Sequence, residues 1–457
     1  MKLRSYQLEV ARAIVDSIVE NRGLTLSVEI ARQGGKNELS AHLEILLLTM
    51  YMARGGNSVK CSPTFKPQTI ISMTRLKERL GDFGFDGIWT TEMGYCIRLG
   101  SARQIFLSAE ESSSVVGHTA DILMEIDESQ DVNKDKYTKE FRPMASAHNT
   151  TTVHYGTTWN DSTLLEEIKQ ANLEQEKKDG IKRHFRYDWQ EVARHNPSYL
   201  SFVENERQRL GEEHPLFRTQ YALLPVRGGG GLLTAQQLTQ LRGKHNRLKC
   251  RRPGNAVYIA GIDFAGEIEV TEDMILTTPG RDATVITIAE LIDNNALNNT
   301  GERDIKVMEH YCWVGKKHAE LHSTMLDILK NVWNCRYIVC DATGIGEPIT
   351  AFLKHKLGNR IIPYKFTQKT KSEAGFELLA AINSGRLKVY KQDGSPEYKE
   401  LMYEMEKARG NYRPNQTLNF YVEPGDGHDD YLISLALLVQ AAGRYTPVKA
   451  KGRIPES

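Results

Sequence analysis

A lysine behind two glycines, in Ala31-Arg32-Gln33-Gly34-Gly35-Lys36-Asn37, precedes an apolar run that ends in two acids, Ile122-Leu123-Met124-Glu125-Ile126-Asp127-Glu128. A glycine-rich turn surrounds phosphates with backbone N–H groups, and its lysine reaches the β and γ oxygens. Paired acids at a strand end supply a magnesium ligand, here Asp127, and a group that orients or deprotonates the attacking water, here Glu128. The second half carries another chemistry. Gly261-Ile262-Asp263, Val339-Cys340-Asp341 and Gly427-His428-Asp429-Asp430 place acids at the edges of apolar runs. Convergent carboxylates repel one another unless cations neutralise them, and two divalent ions about 3.5–4 Å apart give the in-line geometry of phosphodiester hydrolysis. All-oxygen ligands suit magnesium or manganese better than zinc.

These groups need particular elements to hold them. Leu24, Leu26, Val28 and Ile30 alternate with polar residues, which predicts a strand running into the glycine pair. Leu39, Leu43, Leu46, Leu47 and Met50 recur at helical spacing, so strand, turn and helix follow in the order a phosphate loop requires. The loop departs from the usual pattern twice, with Ile30 in place of the first glycine and Asn37 in place of a magnesium-binding hydroxyl. The Asn37 carbonyl offers an oxygen to that ion, directly or through water. Residues 153–156 predict a third strand, whose following Thr157 and Thr158 face the same C-terminal edge of a parallel sheet.

In the second half, strands are expected at 257–262, 283–291 and 307–314, then a helix at 321–332 and a strand at 337–340. That order, with acids at the ends of the first and fourth strands, resembles the RNase H fold. Asp429 and Asp430 begin an apolar helix and point about 100° apart, so one can cap while the other binds metal. Residues 267–273 read as an acidic surface insertion. The expected organisation is an α/β P-loop ATPase domain with a parallel sheet over 1–226, including a helical connecting region from about 164. A Gly-rich and basic linker over 227–255 and an RNase H-like α/β nuclease domain over 256–457 follow. Within the linker, Gly228 to Gly231 reads as a hinge, and Arg242, Lys244, Arg247, Lys249, Arg251 and Arg252 read either as a surface that tracks a phosphate backbone or as solvated chain.

The 457 residues suffice for two domains, and 40% hydrophobic with 26% charged residues indicates a globular protein. No apolar run is long enough to span a bilayer; 45–52 and 432–442 read as buried helices. The opening residues lack a signal-peptide core, so the cytoplasm is the expected location. Six scattered cysteines without a Cys-x-x-Cys pair argue against structural zinc. A net charge of +1 does not exclude nucleic-acid binding, because an acidic active site cancels a basic face in the sum.

Four motifs in order make the chain resemble the large terminase subunit of tailed bacteriophages: Tyr6-Gln7, Arg32-Gln33-Gly34-Gly35-Lys36, Ile126-Asp127-Glu128-Ser129 and Gly156-Thr157-Thr158-Trp159. Asp341 to Glu347, Thr370-Lys371-Ser372-Glu373 and Gly427-His428-Asp429-Asp430 match the nuclease pattern of the same family. The resemblance implies that Gln7 reads the adenine edge, Arg32 contacts the phosphates, and Gly156, Thr157 and Thr158 couple hydrolysis to movement. It implies ATP with Mg2+ in one site, and in the other two Mg2+ or Mn2+ held by Asp263, Asp341, Asp430 and Asp429, with Asp430 favoured as the third ligand and Asp429 left to cap or to hold a metal-bound water. It further implies double-stranded DNA as substrate, a small terminase subunit and the portal protein of the prohead as partners, a homo-oligomeric ring on the portal, no membrane, and the host cell cytoplasm as location. The arginine that many members carry before the acidic strand is absent from 104–127, leaving Arg142 as substitute finger. Two other readings compete: a superfamily 2 helicase-nuclease, suggested by Asp127-Glu128-Ser129-Gln130, and a non-catalytic DNA-binding assembly protein.

Overall fold

In the computed structural model the described residues are 3–444, apart from 114, 116, 227–229, 266–282, 293–301, 317, 345 and 414. The acidic insertion expected at 267–273 and half of the expected glycine hinge lie outside them. The chain forms two compact units, one of residues 1–204, 215–228 and 414–416, the other of residues 205–214, 229–413 and 417–457.

The first stretch of chain runs α1 (Ser5–Val19), β1 (Thr25–Ile30), α2 (Lys36–Met50), β2 (Gly56–Ser62), α3 (Ile70–Asp82), β3 (Trp89–Glu92), β4 (Cys96–Leu99), β5 (Ala102–Ser108) and β6 (Leu123–Ile126). The short α4 (Lys134–Lys136), then β7 (Thr151–Gly156), α5 (Leu164–Asp179), β8 (His184–Tyr187), α6 (Trp189–Arg194), α7 (Pro197–Leu210) and α8 (Pro215–Gln220) follow. Eight strands form one sheet in the order β3-β4-β5-β2-β6-β7-β1-β8. It is parallel from β5 to β8, with β3 and β4 antiparallel at one edge. Parallel strands deliver their C-terminal ends to one edge, so the segments after β1, β6 and β7 become neighbours although they are far apart in sequence. The region from 164 is not purely helical. His184 to Tyr187 pairs with β1 and buries Phe185 and Tyr187; four residues are too few to interrupt a helical pattern visibly. Within α2, Leu46 and Met50 are exposed, so that helix is buried on one face and not all round.

The second unit contains β9 (Gly230–Gly231), α9 (Ala235–Leu241), β10 (Val257–Asp263), β11 (Ala283–Ile292), β12 (Asp304–Val314), α10 (His318–Asp327), β13 (Tyr337–Asp341) and α11 (Gly346–Leu357). It continues through β14 (Ile361–Tyr364), α12 (Gln368–Asn383), β15 (Leu387–Lys388), α13 (Pro396–Lys407), β16 (Arg409–Tyr412), β17 (Leu418–Tyr421) and α14 (Asp430–Gly443). The main sheet has the order β14-β13-β10-β11-β12-β15, with β10, β11 and β12 antiparallel and β13 parallel to β10. This is the RNase H-like arrangement, and among the described residues there is no second parallel motor sheet of the kind a superfamily 2 helicase needs.

The expected linker is largely part of this unit. Leu241 of α9 is buried in its core, and Arg247 pairs with Glu309 on β12, with Asp393 at 3.4 Å and with Glu397 on α13 at 3.1 Å. Lys249 also meets Glu309, at 3.0 Å. Basic residues that cluster in sequence are thus partly neutralised by acids from distant segments, which charge counting along the chain does not reveal.

Candidate active sites

The phosphate loop is built by conformations that few residues tolerate. Gln33 (φ 65°) and Gly35 (φ 89°) are left-handed. A Cβ on Gly34 would lie 2.5 Å from the Ile30 side chain and 2.7 Å from the Ala31 carbonyl, so the glycine pair is sterically required. Residues 30–37 line a cavity of about 460 Å³ together with Glu128, Gln130 and Thr157, which places the loop, Glu128 and the segment after β7 in one site.

Lys36 forms an ion pair with Glu128 and lies 3.8 Å from Asp127. Burial works against both charges, but Glu128 and Asp127 hold the lysine firmly protonated. Against the same burial, Lys36, Gln130 and Arg32 pull the Glu128 carboxyl below its usual range. Glu128 itself is left-handed (φ 45°), a backbone state costing about 1–2 kcal/mol for such a residue. Asn37 Oδ1 is buried without a hydrogen-bond partner among the described residues. An orphaned carbonyl oxygen at this position fits the ligand role inferred for Asn37, and with Asp127 it gives an all-oxygen pair suited to Mg2+.

Gln7 is placed beside the loop but does not face an open adenine slot. Its Nε2 donates to the Gly35 carbonyl at 2.8 Å, its Oε1 accepts from the Arg4 N–H at 2.8 Å, and Tyr6 donates to the Gly34 carbonyl at 2.5 Å. The Tyr6-Gln7 pair fastens the loop, and the Gln7 amide keeps one N–H donor and one carbonyl lone pair beyond these two bonds. Arg32 is exposed on the cavity, with its backbone tied by Tyr199 and Gln220. Arg142 lies elsewhere, lining a cavity with Gly23, Leu24 and Thr25 at the opposite end of β1. Within its own unit it is not brought to the phosphate site. The arginine that is brought there from outside the loop is Arg75 on α3. Sequence reasoning missed it because α3 carries no motif; only the placement of that helix beside the loop reveals it.

In the second unit, β10 and β13 are adjacent and parallel, with Ile262 opposite Cys340, so Asp263 and Asp341 sit at neighbouring strand ends. Helix α14 brings the third acid. Gly261 has no room for a side chain: a Cβ there would lie 2.2 Å from the Ser434 carbonyl and 2.4 Å from Leu438 N. Ser434 donates to the Gly261 carbonyl at 3.0 Å and meets Thr287 at 2.7 Å. Asp430, one turn before Ser434, is thereby held against the sheet.

Burial first, then Asp430, Asp341 and Asp429, push the Asp263 carboxyl well above its usual range. Asp341 is also raised by burial, less so because Thr343 and Lys371 favour its charge. An acid raised by neighbouring carboxylates, as Asp263 is, is one that a cation would relieve. Asp430 Oδ2 accepts from Ala283 N at 2.8 Å, and among the described residues no group of three or more His, Cys, Asp or Glu is close enough to form a finished metal cage. Asp429 stands at the N-cap position of α14 without a side-chain cap bond. The fifth carboxyl here, Glu404 on α13, was not foreseen. Its Oε2 accepts from Leu432 N at 2.9 Å, capping α14 from outside, and burial with Asp430 and Asp429 raises it to about 9.

No family model and no curated protein matches the chain. Solved structures do. The large terminase of a thermophilic bacteriophage is similar over 96% of this chain and 99% of its own, at 12% identity and a TM-score of 0.56. The complexes of that terminase with ADP (12% identity, TM-score 0.54) and ATP-gamma-S (11%, 0.54) cover the same shares. The chain shares their fold, an ATPase-type parallel sheet followed by an RNase H-like unit.

Proposed function

We propose that the chain is a phage large terminase subunit, which drives double-stranded DNA into a prohead by ATP hydrolysis and cuts concatemeric DNA with a metal-dependent nuclease. The observation that carries this reading is the pairing, in one chain, of a Lys36–Glu128 phosphate site with converging Asp263, Asp341 and Asp430 on an RNase H-like sheet. The double-stranded DNA substrate, small terminase subunit, portal protein and ring assembly belong to this proposal, and the likeness in fold to terminases supports them. Among the described residues no helix is long and apolar enough to cross a membrane.

In the ATPase site, phosphate oxygens compete with Glu128 for the Lys36 ammonium. When Lys36 turns to the phosphates, a Glu128 oxygen is released to take a proton from water. The water oxygen then bonds to the γ-phosphorus, the β–γ bridging bond breaks, and ADP and phosphate result. Arg32 and Arg75 supply positive charge beside the transferred group. Asp127 and Asn37 would hold Mg2+, which neutralises phosphate charge when bound. In the second unit Asp263, Asp341 and Asp430 would hold two Mg2+ or Mn2+, with Asp429 holding a metal-bound water; such ions stabilise the attacking and leaving oxygens of a phosphodiester. The test measures ATP turnover and plasmid cutting in Mg2+ or Mn2+. Lys36→Ala should abolish turnover and spare cutting, and Asp263→Asn should do the reverse. A wild-type protein with neither activity would leave the assembly-protein reading standing.

A further inference from the structure

Gln130 occupies the gap between the acid pair and the coupling segment, and its side-chain amide bonds to both. Nε2 donates to Glu128 Oε2 at 2.7 Å and to Asp131 Oδ2 at 3.2 Å, while Oε1 accepts from the Thr157 backbone N–H at 3.3 Å. The residue is buried, and the end of β7 is shaped around it: a Cβ on Gly156 would fall 2.1 Å from Gln130 Oε1. Gly156 is therefore needed for the amide to sit where it does.

The two Glu128 oxygens have different partners, Oε1 facing Lys36 and Oε2 facing Gln130. When phosphates draw Lys36 away, Oε1 becomes free and Oε2 stays tethered. The carboxylate is thus left with one oxygen for the water and one fixed to the amide that also reads the position of Thr157. Beyond Thr157, Thr158 donates to Glu29 Oε1 at 2.7 Å, and Glu29 lies on β1 just before the loop. Gln220 closes the other side, donating to Thr157 Oγ1 at 3.3 Å and accepting from the Arg32 N–H at 2.8 Å. The coupling segment is bonded to β1 through Glu29 and to the phosphate loop through Gln220, and the Gln130 amide joins its Thr157 N–H directly to the Glu128 carboxylate.

We propose that Gln130 is the positioning residue that registers Glu128 to the end of β7, so that the state of the phosphate site and the position of Thr157-Thr158 move together. This rests on the ATPase reading above. The test uses the full chain and compares Gln130→Met, which keeps bulk and loses the amide, with Gln130→Glu, which keeps an acceptor for Thr157 and repels Glu128; Glu128→Gln is the control. Gln130→Met should lower kcat about tenfold or more, the scale of a misplaced catalytic group, with KM for ATP within about twofold of wild type and an unchanged melting temperature. Gln130→Glu should move the acid limb of the kcat–pH profile upward, because Glu128 loses a donor and gains a neighbouring carboxylate. A purely structural role would lower melting in Gln130→Met and leave kcat per folded protein unchanged. Wild-type kcat in Gln130→Met, or an unmoved limb in Gln130→Glu, overturns the proposal while leaving the ATPase reading intact. Full turnover in Glu128→Gln, or none in the wild type, removes the ATPase reading and this proposal with it.

Discussion

Replacing Gly261 by alanine should damage DNA cutting without touching either acid. The added methyl would lie 2.2 Å from the Ser434 carbonyl and 2.4 Å from Leu438 N, whereas comfortable contact is ~3.5 Å or more. Both neighbours are helix backbone, so relief requires α14 to retreat from β10 by about 1 Å. The Ser434 bonds to Gly261 and Thr287 would stretch, and Asp430, one turn away on the same helix face, would move from Asp263. Overpacking of this kind costs about 1–3 kcal/mol, and a 1 Å error at a reacting centre costs about a hundredfold in rate. The assay is single-turnover cleavage of supercoiled plasmid in Mn2+, beside ATP turnover and thermal melting of the same preparation. Cleavage about a hundredfold down, a modestly lowered melting temperature and normal ATP turnover are expected. Full-rate cleavage by a stably folded Gly261→Ala protein would refute the argument that α14 sets the acidic site.

Asp430→Asn should lose more cleavage than Asp429→Asn, since Asp430 weighs more heavily on Asp263; the opposite ranking in proteins of equal melting temperature would exchange the two roles. Arg75→Ala should lower kcat for ATP by about tenfold or more, less than the largest effects of trans-acting arginines, at every protein concentration tested. Arg142→Ala, if it acts on a neighbouring subunit, should lower turnover only where subunits assemble, and equal effects at all dilutions would exclude that role. His154 is wholly buried between Ser129 and Tyr137, and burial lowers its pKa to about 3. With a depressed folded pKa, the unfolded chain binds the extra proton between about 6.5 and 3, so stability is present above that window and lost as pH falls through it. Chemical denaturation across this range should show the slope of stability against pH falling by up to ~1.4 kcal/mol per unit in His154→Gln; an unchanged slope would mean that His154 is not buried neutral.

Much of the fold was legible because its signals are local. Alternation into Gly34-Gly35, the apolar run into Asp127-Glu128 and the three-strand, helix, strand order after 256 each lie within one short window, and each element formed where the pattern placed it. β8 was not legible, since four residues between helices carry too little periodicity. The described part of the expected linker was missed for a different reason: Leu241 and Arg247 find their partners far away in sequence.

The sequence by itself determined which side chains are candidates for chemistry and which strand or helix end presents each of them, because periodicity and turn-forming residues act over a few positions. Only the tertiary structure decided what those groups meet. Sheet order put the end of β7 between those of β6 and β1, which let Gln130 join Glu128 to Thr157; the packing of α3 brought Arg75, and not Arg142, to the phosphate loop. The bare Cα of Gly261 let α14 approach until Asp430 weighed on Asp263, and α13 added Glu404 from a segment with no motif at all. Distances through space are set by packing across the whole unit, which no window of neighbouring residues encodes.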